Sequence, residues 1–236
     1  MAKEIPHTPR NRVSLATAKV VPAFLTLIVA YASYVVVGPL SIGYLLNNDQ
    51  REPRIAAGIA IPIGWFVLLI PVVTTWIRLL LVVSTSPGYI PYGEEESPGP
   101  PPPEFWMRDV FVCTPQGLPI WCQHCRNWKP DRAHHNRDTG RCSLKMDHFC
   151  PWVGGVVGER ALKFFSQFLV YGLVLSTYLL ICMAYFVHEK KHVQWIVALA
   201  LGGFFVFFTL GMVIDTMRKY THAPARREEC GLLTVV

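Results

Sequence analysis

FFSQFLVYGLVLSTYLLICMAYFV, residues 164–187, holds no charged side chain over 24 positions. As a helix it would rise about 36 Å, enough to cross a hydrocarbon layer of about 30 Å. Three more stretches have the same character: Val20–Leu46, Ile55–Trp76 and Val193–Ile214. The second reads on past Arg78 through Leu79–Val83, the arginine snorkelling or facing protein. Of the 236 residues, 52% are hydrophobic and only 16% charged, where soluble domains carry roughly 25% charged residues. These features argue against a soluble protein and predict an all-α polytopic membrane protein with four transmembrane helices.

Charge placement orients the spans. Four crossings put both tails and the long polar segment between the second and third spans on one side. That side holds Lys3, Arg10, Arg12 and Lys19, the eight Lys and Arg from Arg126 to Lys163 and the tail pairs Arg218/Lys219 and Arg226/Arg227; the opposite side holds Arg51, Arg54, Lys190 and Lys191. The positive-inside rule makes the middle segment cytosolic. The net charge of +6 is thereby accounted for by the membrane, and no nucleic-acid partner is expected. The first eighteen residues are polar, unlike a cleavable signal peptide. The expected organisation is a cytosolic tail (1–19), spans one and two (20–83), a cytosolic linker and cysteine-rich domain (84–163), spans three and four (164–214) and a cytosolic tail (215–236). Residues 93–103, GEEESPGPPPP, read as a charged, polyproline-like spacer.

Seven cysteines stand at 113, 122, 125, 142, 150, 182 and 230. Four of them, 122, 125, 142 and 150, fall in one short polar stretch with several histidines. A Cys-x-x-Cys opening with interleaved His favours zinc in a reducing compartment over disulfides. Cys122, Cys125, an imidazole from the His134-His135 pair and Cys142 make a tetrahedral donor set. Cys182 reads as a small buried hydrophobe and Cys113 as an ordinary thiol, while Cys230 is open to either a free or an acylated state.

Just before the third span comes Asp147-His148-Phe149-Cys150-Pro151-Trp152. An acid beside an imidazole orients and strengthens a base. That base turns a nearby thiol into a thiolate nucleophile. The combination points to cysteine acyl transfer at a membrane.

Together with Lys129-Pro130-Asp131-Arg132-Ala133-His134-His135, Arg141-Cys142, Lys145-Met146, Val153, Gly158 and Lys163-Phe164-Phe165, these residues resemble the DHHC family of protein S-acyltransferases (palmitoyltransferases). Phe149 and the Gly154–Gly158 run are most similar to a fungal branch with a DHFC motif. The resemblance implies a zinc-binding cysteine-rich domain between helices 2 and 3. It implies Cys122, Cys125, His135 and Cys142 as zinc ligands. At the positions of the family's second zinc stand Asn136, Thr139, Phe149 and Val156, none a usual ligand. One zinc is therefore expected, with Phe149 and Val156 packing where the other metal would sit. The resemblance further implies that Asp147 orients His148, that His148 deprotonates Cys150, and that Cys150 takes an acyl group from palmitoyl-CoA. Acceptor cysteines of cytosolic or membrane-associated proteins would then receive it. The place would be an endomembrane or the plasma membrane, with the active site facing the cytosol. An inactive zinc-binding membrane adaptor of the same fold is the alternative; a thiol oxidoreductase would need Cys122 and Cys125 free of metal. Three features depart from the family: Ser86 where Asp is usual, Ala161 where Asn is usual, and no Thr-Thr-x-Glu motif after the fourth span to tie the tail to the active site.

Overall fold

A computed structural model of the chain describes residues 9–47, 52–94, 97–107, 111–114, 116, 118–130 and 132–221. Lys3, Arg51, Asp131, Arg226, Arg227, Cys230 and most of the C-terminal tail lie outside the described residues.

Four long helices dominate: α1 (Pro9–Val35), which runs on as a π-helical stretch (Val36–Leu46), α2 (Ile55–Thr85), α4 (Leu162–Glu189) and α5 (Val193–Thr221). Between α2 and α4 lie a single-turn helix, α3 (Pro103–Trp106), and six short strands. Each of the four long helices is long and apolar enough to cross a membrane. The fold class read from the sequence therefore holds, with the cysteine and histidine cluster between the second and third spans. The π-helical stretch is built around Pro39. Proline has no N–H for the α-helical ladder and clashes with the preceding turn. The widened turns are held by Ser41 Oγ donating to Val36 O (2.8 Å) and by Asn47 N–H donating to Ile42 O (3.0 Å).

By its internal packing the chain divides into two units. One contains residues 23–78 and 164–218. Its core is made by Val35, Val36, Leu40, Trp65, Leu179, Met183 and Trp195, all buried. Two polar side chains inside it are paired: Trp65 Nε1 donates to Ser33 Oγ (2.9 Å), and Tyr178 Oη donates to Ile61 O (2.9 Å). Arg54 and Tyr44 both bind the Glu189 carboxylate, at 2.9 and 2.8 Å. The outer faces remain apolar; Leu27 is 68% and Phe207 83% exposed. Such faces suit hydrocarbon and would aggregate in water.

The other unit contains residues 9–22, 79–163 and 219–221 among those described. The cysteine-rich segment within it forms three antiparallel ribbons. β1 (Trp121–Cys122) pairs β2 (Asn127–Trp128), β3 (His134–Asn136) pairs β4 (Arg141–Ser143), and β5 (His148–Cys150) pairs β6 (Gly155–Val157). No strand exceeds three residues. The first two ribbons enclose a small apolar cluster: Ile90, Ala133 and three of the cysteines, with Leu144 against them. Ribbons this short are marginal alone and need a cross-link. The chain after α2 braces them. Ile90 N–H donates to Cys142 O and Leu144 N–H to Gly88 O, while the Arg141 guanidinium lies between the Tyr89 and Tyr92 rings at 5.0 and 4.8 Å.

Candidate metal centre and active site

The β1–β2 turn closes with Arg126 N–H donating to Cys122 O (2.7 Å), and Arg126 adopts a left-handed conformation (φ 53°). That turn folds Cys122 and Cys125 toward the same point, as a Cys-x-x-Cys knuckle does. In the next ribbon His135 and Cys142 stand directly opposite each other across β3 and β4. One ligand atom from each of these four residues lies within 4.8 Å of all the others. His135 Nδ1 is 3.6, 3.3 and 3.8 Å from the sulfurs of Cys122, Cys125 and Cys142. The three cysteines are buried. Three soft sulfur donors and one imidazole in a closed site fit a structural metal ion. His135 is further braced by His124, whose ring stacks on it at 4.8 Å. A hydrogen bond from the Cys142 thiol is the main influence drawing the Cys125 thiol down, against burial, to about 5; the same bond pushes Cys142 upward. Metal binding would take these cysteines as thiolates.

The third ribbon carries the thiol. In β5–β6, His148 pairs Val157, Phe149 pairs Val156 and Cys150 pairs Gly155. Alternate residues of a strand share a face, so His148 and Cys150 project to one side and Phe149 to the other. Cys150 is 4% exposed. Asp147 precedes the strand, its N–H donating to Val157 O (2.9 Å), and its Oδ2 lies 2.9 Å from His148 Nδ1. Burial draws the His148 imidazole down, but the hydrogen bonds with Asp147 and Cys150 outweigh it and hold the proton to about 9. The His148 hydrogen bond is also the chief cause that lowers Asp147, against burial and with help from Lys219, to about 2. A proton leaving Cys150 therefore has a stable place on His148.

Lys219, in the last turn of α5, donates to Asp147 Oδ1 at 2.7 Å. Nothing in the sequence pointed to it: a basic residue after an apolar span satisfies the positive-inside pattern by itself. Two of the family's second-metal positions satisfy each other, with Asn136 Oδ1 accepting from Thr139 N–H (2.9 Å) and Thr139 Oγ1 (3.3 Å). The other two, Phe149 and Val156, face each other across the third ribbon, and Val156 is fully buried. Lys145, a basic residue of the same segment, is paired with Glu159 at 2.7 Å. Cys113 is disulfide-bonded, which corrects the free thiol expected of it.

Comparison with known proteins places this geometry. Residues 117–223 match the model of the DHHC palmitoyltransferase family. Over those residues the chain resembles the DHHC family. Its curated relatives include the palmitoyltransferase pfa5 of Aspergillus fumigatus, 36% identical over 88% of this chain and 61% of the relative. The palmitoyltransferase pfa5 of Emericella nidulans is 34% identical over 80% of the chain and 50% of the relative. Palmitoyltransferase PFA3 of Candida glabrata is 46% identical over a shorter stretch, 34% of the chain and 24% of the relative. The chain thus spans between half and about three fifths of the two pfa5 relatives. The matched DHHC-family segment contains both the metal cluster and the Asp147-His148-Cys150 group, and it runs through α5 to include Lys219.

Proposed function

We propose that this chain is a protein S-acyltransferase that moves a long-chain acyl group, palmitoyl in the first instance, from acyl-CoA to protein cysteines. The observation that carries this reading is the buried Cys150 on the same strand face as His148, whose Nδ1 is held 2.9 Å from Asp147. The names of its relatives agree with it.

In this reading His148 takes the Cys150 proton, and the Cys150 thiolate attacks the thioester carbonyl of acyl-CoA. A bond forms between the acyl carbon and Cys150 Sγ. The bond to the CoA sulfur breaks, and the leaving thiolate receives the proton from His148. An acceptor cysteine then gives its proton to His148 as its sulfur attacks the acyl carbon, and Cys150 leaves as thiolate. Asp147 orients the ring and stabilises the imidazolium; it does not take the proton.

Cys122, Cys125, His135 and Cys142 would hold one zinc ion, whose contribution is to cross-link the first two ribbons. Asn136, Thr139, Phe149 and Val156 take up the second metal's place with a hydrogen-bonded pair and an apolar pair. The ribbons and both tails face the cytosol, as the positive-inside pattern requires. The acceptors are cytosolic or membrane-associated proteins.

A transfer assay with palmitoyl-CoA and a cysteine-containing acceptor peptide tests the proposal. Wild-type protein is expected to acylate the peptide, and metal-loaded Cys150→Ser to be inactive. Transfer undiminished in Cys150→Ser, or none in folded, metal-loaded wild type, would overturn it; the latter outcome fits a zinc-bearing adaptor.

A further inference from the structure

A carboxylate beside an imidazole has two equivalent oxygens and a soft terminal torsion. One hydrogen bond does not fix its plane. In this protein the two oxygens of Asp147 are divided: Oδ2 meets His148 Nδ1 at 2.9 Å and Oδ1 meets Lys219 Nζ at 2.7 Å. The carboxylate is only 13% exposed, while Lys219 is half exposed and comes from a helix 72 positions further along the chain. The last turn of a helix favours a cation in any case, and Arg218 meets that need equally well. What distinguishes Lys219 is its partner, an acid bound to His148.

We propose that Lys219 is a positioning residue for the thiol chemistry: it clamps the outer oxygen of Asp147 so that the inner one holds His148 in register with Cys150. The inference rests on the acyltransferase reading for its purpose, though its geometry stands apart from the identity of the acyl donor. The charges alternate along the chain of contacts, Lys219 positive, Asp147 negative, His148 positive when protonated and Cys150 negative as thiolate. The transfer of a proton from Cys150 to His148 thus creates two charges that each have a neighbour of opposite sign. Lys219 also makes the last turn of α5 part of the site.

The test measures the pH dependence of Cys150 alkylation by iodoacetamide, mapped by peptide mass, on the full chain in detergent with its metal bound. His148 is the group whose proton the profile follows, and Asp147 stays charged across the range. Lys219→Met is expected to slow alkylation at neutral pH roughly tenfold and to give the profile of Asp147→Asn. Lys219→Arg should keep the wild-type profile. In the Asp147→Asn background Lys219→Met should add no further loss, because the clamp has nothing left to hold. Lys219→Gln serves in its place should the Met variant lose its metal. A Lys219→Met profile that superimposes on wild type would overturn the proposal. So would a loss that persists undiminished when Asp147 is already Asn, which would assign Lys219 to the helix end alone. A wild-type thiol with the expected profile that accepts no acyl group from palmitoyl-CoA would instead overturn the acyltransferase reading and leave the role of Lys219 standing.

Discussion

His148 sits where a carboxylate, a thiol and partial burial all act on one ring, and the balance favours the protonated form to about 9. Asp147, held down to about 2, remains charged throughout. Because the His148 value is raised above that of the unfolded chain, its contribution to stability is complete below about 6.5 and fades as pH rises toward 9. The Asp147 value is depressed, so its contribution is complete above about 4 and is lost only as pH falls toward 2. Thermal unfolding of wild type and His148→Ala should therefore differ most near pH 5–6, and the gap should close by pH 9. In the transfer assay His148→Ala is expected to lose about 10²- to 10⁴-fold in rate, the range for a positioned proton carrier. A variant as active as wild type would remove His148 from the mechanism. The Asp, His and Cys were legible because chemistry demands those types at close spacing. Lys219 was not, since its partner is chosen by a tertiary approach that spacing does not encode.

The ribbons show why a metal matters to this segment. Strands of two and three residues carry few ladder hydrogen bonds, and the apolar cluster beneath the first two ribbons includes the candidate metal-ligand cysteines themselves. Removing the ion with a strong chelator is expected to unfold the segment and expose Cys122, Cys125 and Cys142 to thiol reagents. Metal analysis should find one zinc per chain; two would contradict the packing of Phe149 against Val156. Gly93 gives a sharper structural test. Its N–H donates to Cys125 O at 2.9 Å, and a Cβ there would overlap the Arg126 carbonyl. Gly93→Ala must push the chain off the knuckle, and faster zinc release in a competition assay is the expected result. A release rate equal to wild type would show that this brace does not hold the site. The Cys-x-x-Cys spacing made the metal cluster readable from sequence. It left open which of His134 and His135 joins; the β3–β4 register sets His135 opposite Cys142. The Gly93 brace was hidden in what read as the start of a charged spacer, because a backbone hydrogen bond has no sequence signature.

At the scale of the molecule, four apolar helices were the strongest signal in the sequence, and the structure places a helix at each. The apolar stretches are uncharged and long, so composition alone finds them. The π-helical turn at Pro39 and the shared Glu189 carboxylate needed coordinates. The proposed orientation rests on charge, and it is testable: a glycosylation acceptor inserted at Asn47–Arg54 should be modified in membranes, and one inserted within residues 93–103 should not. The reverse pattern would invert the topology and separate the thiol from cytosolic acyl-CoA. The central claim is a covalent acyl group on Cys150. Incubation of the purified full chain with palmitoyl-CoA alone, followed by peptide mass mapping with and without hydroxylamine, tests it most directly. The account predicts a hydroxylamine-sensitive palmitoyl group on the Cys150 peptide, absent in Cys150→Ser. An unmodified Cys150 in folded, zinc-loaded protein, or an adduct elsewhere that survives Cys150→Ser, would contradict it.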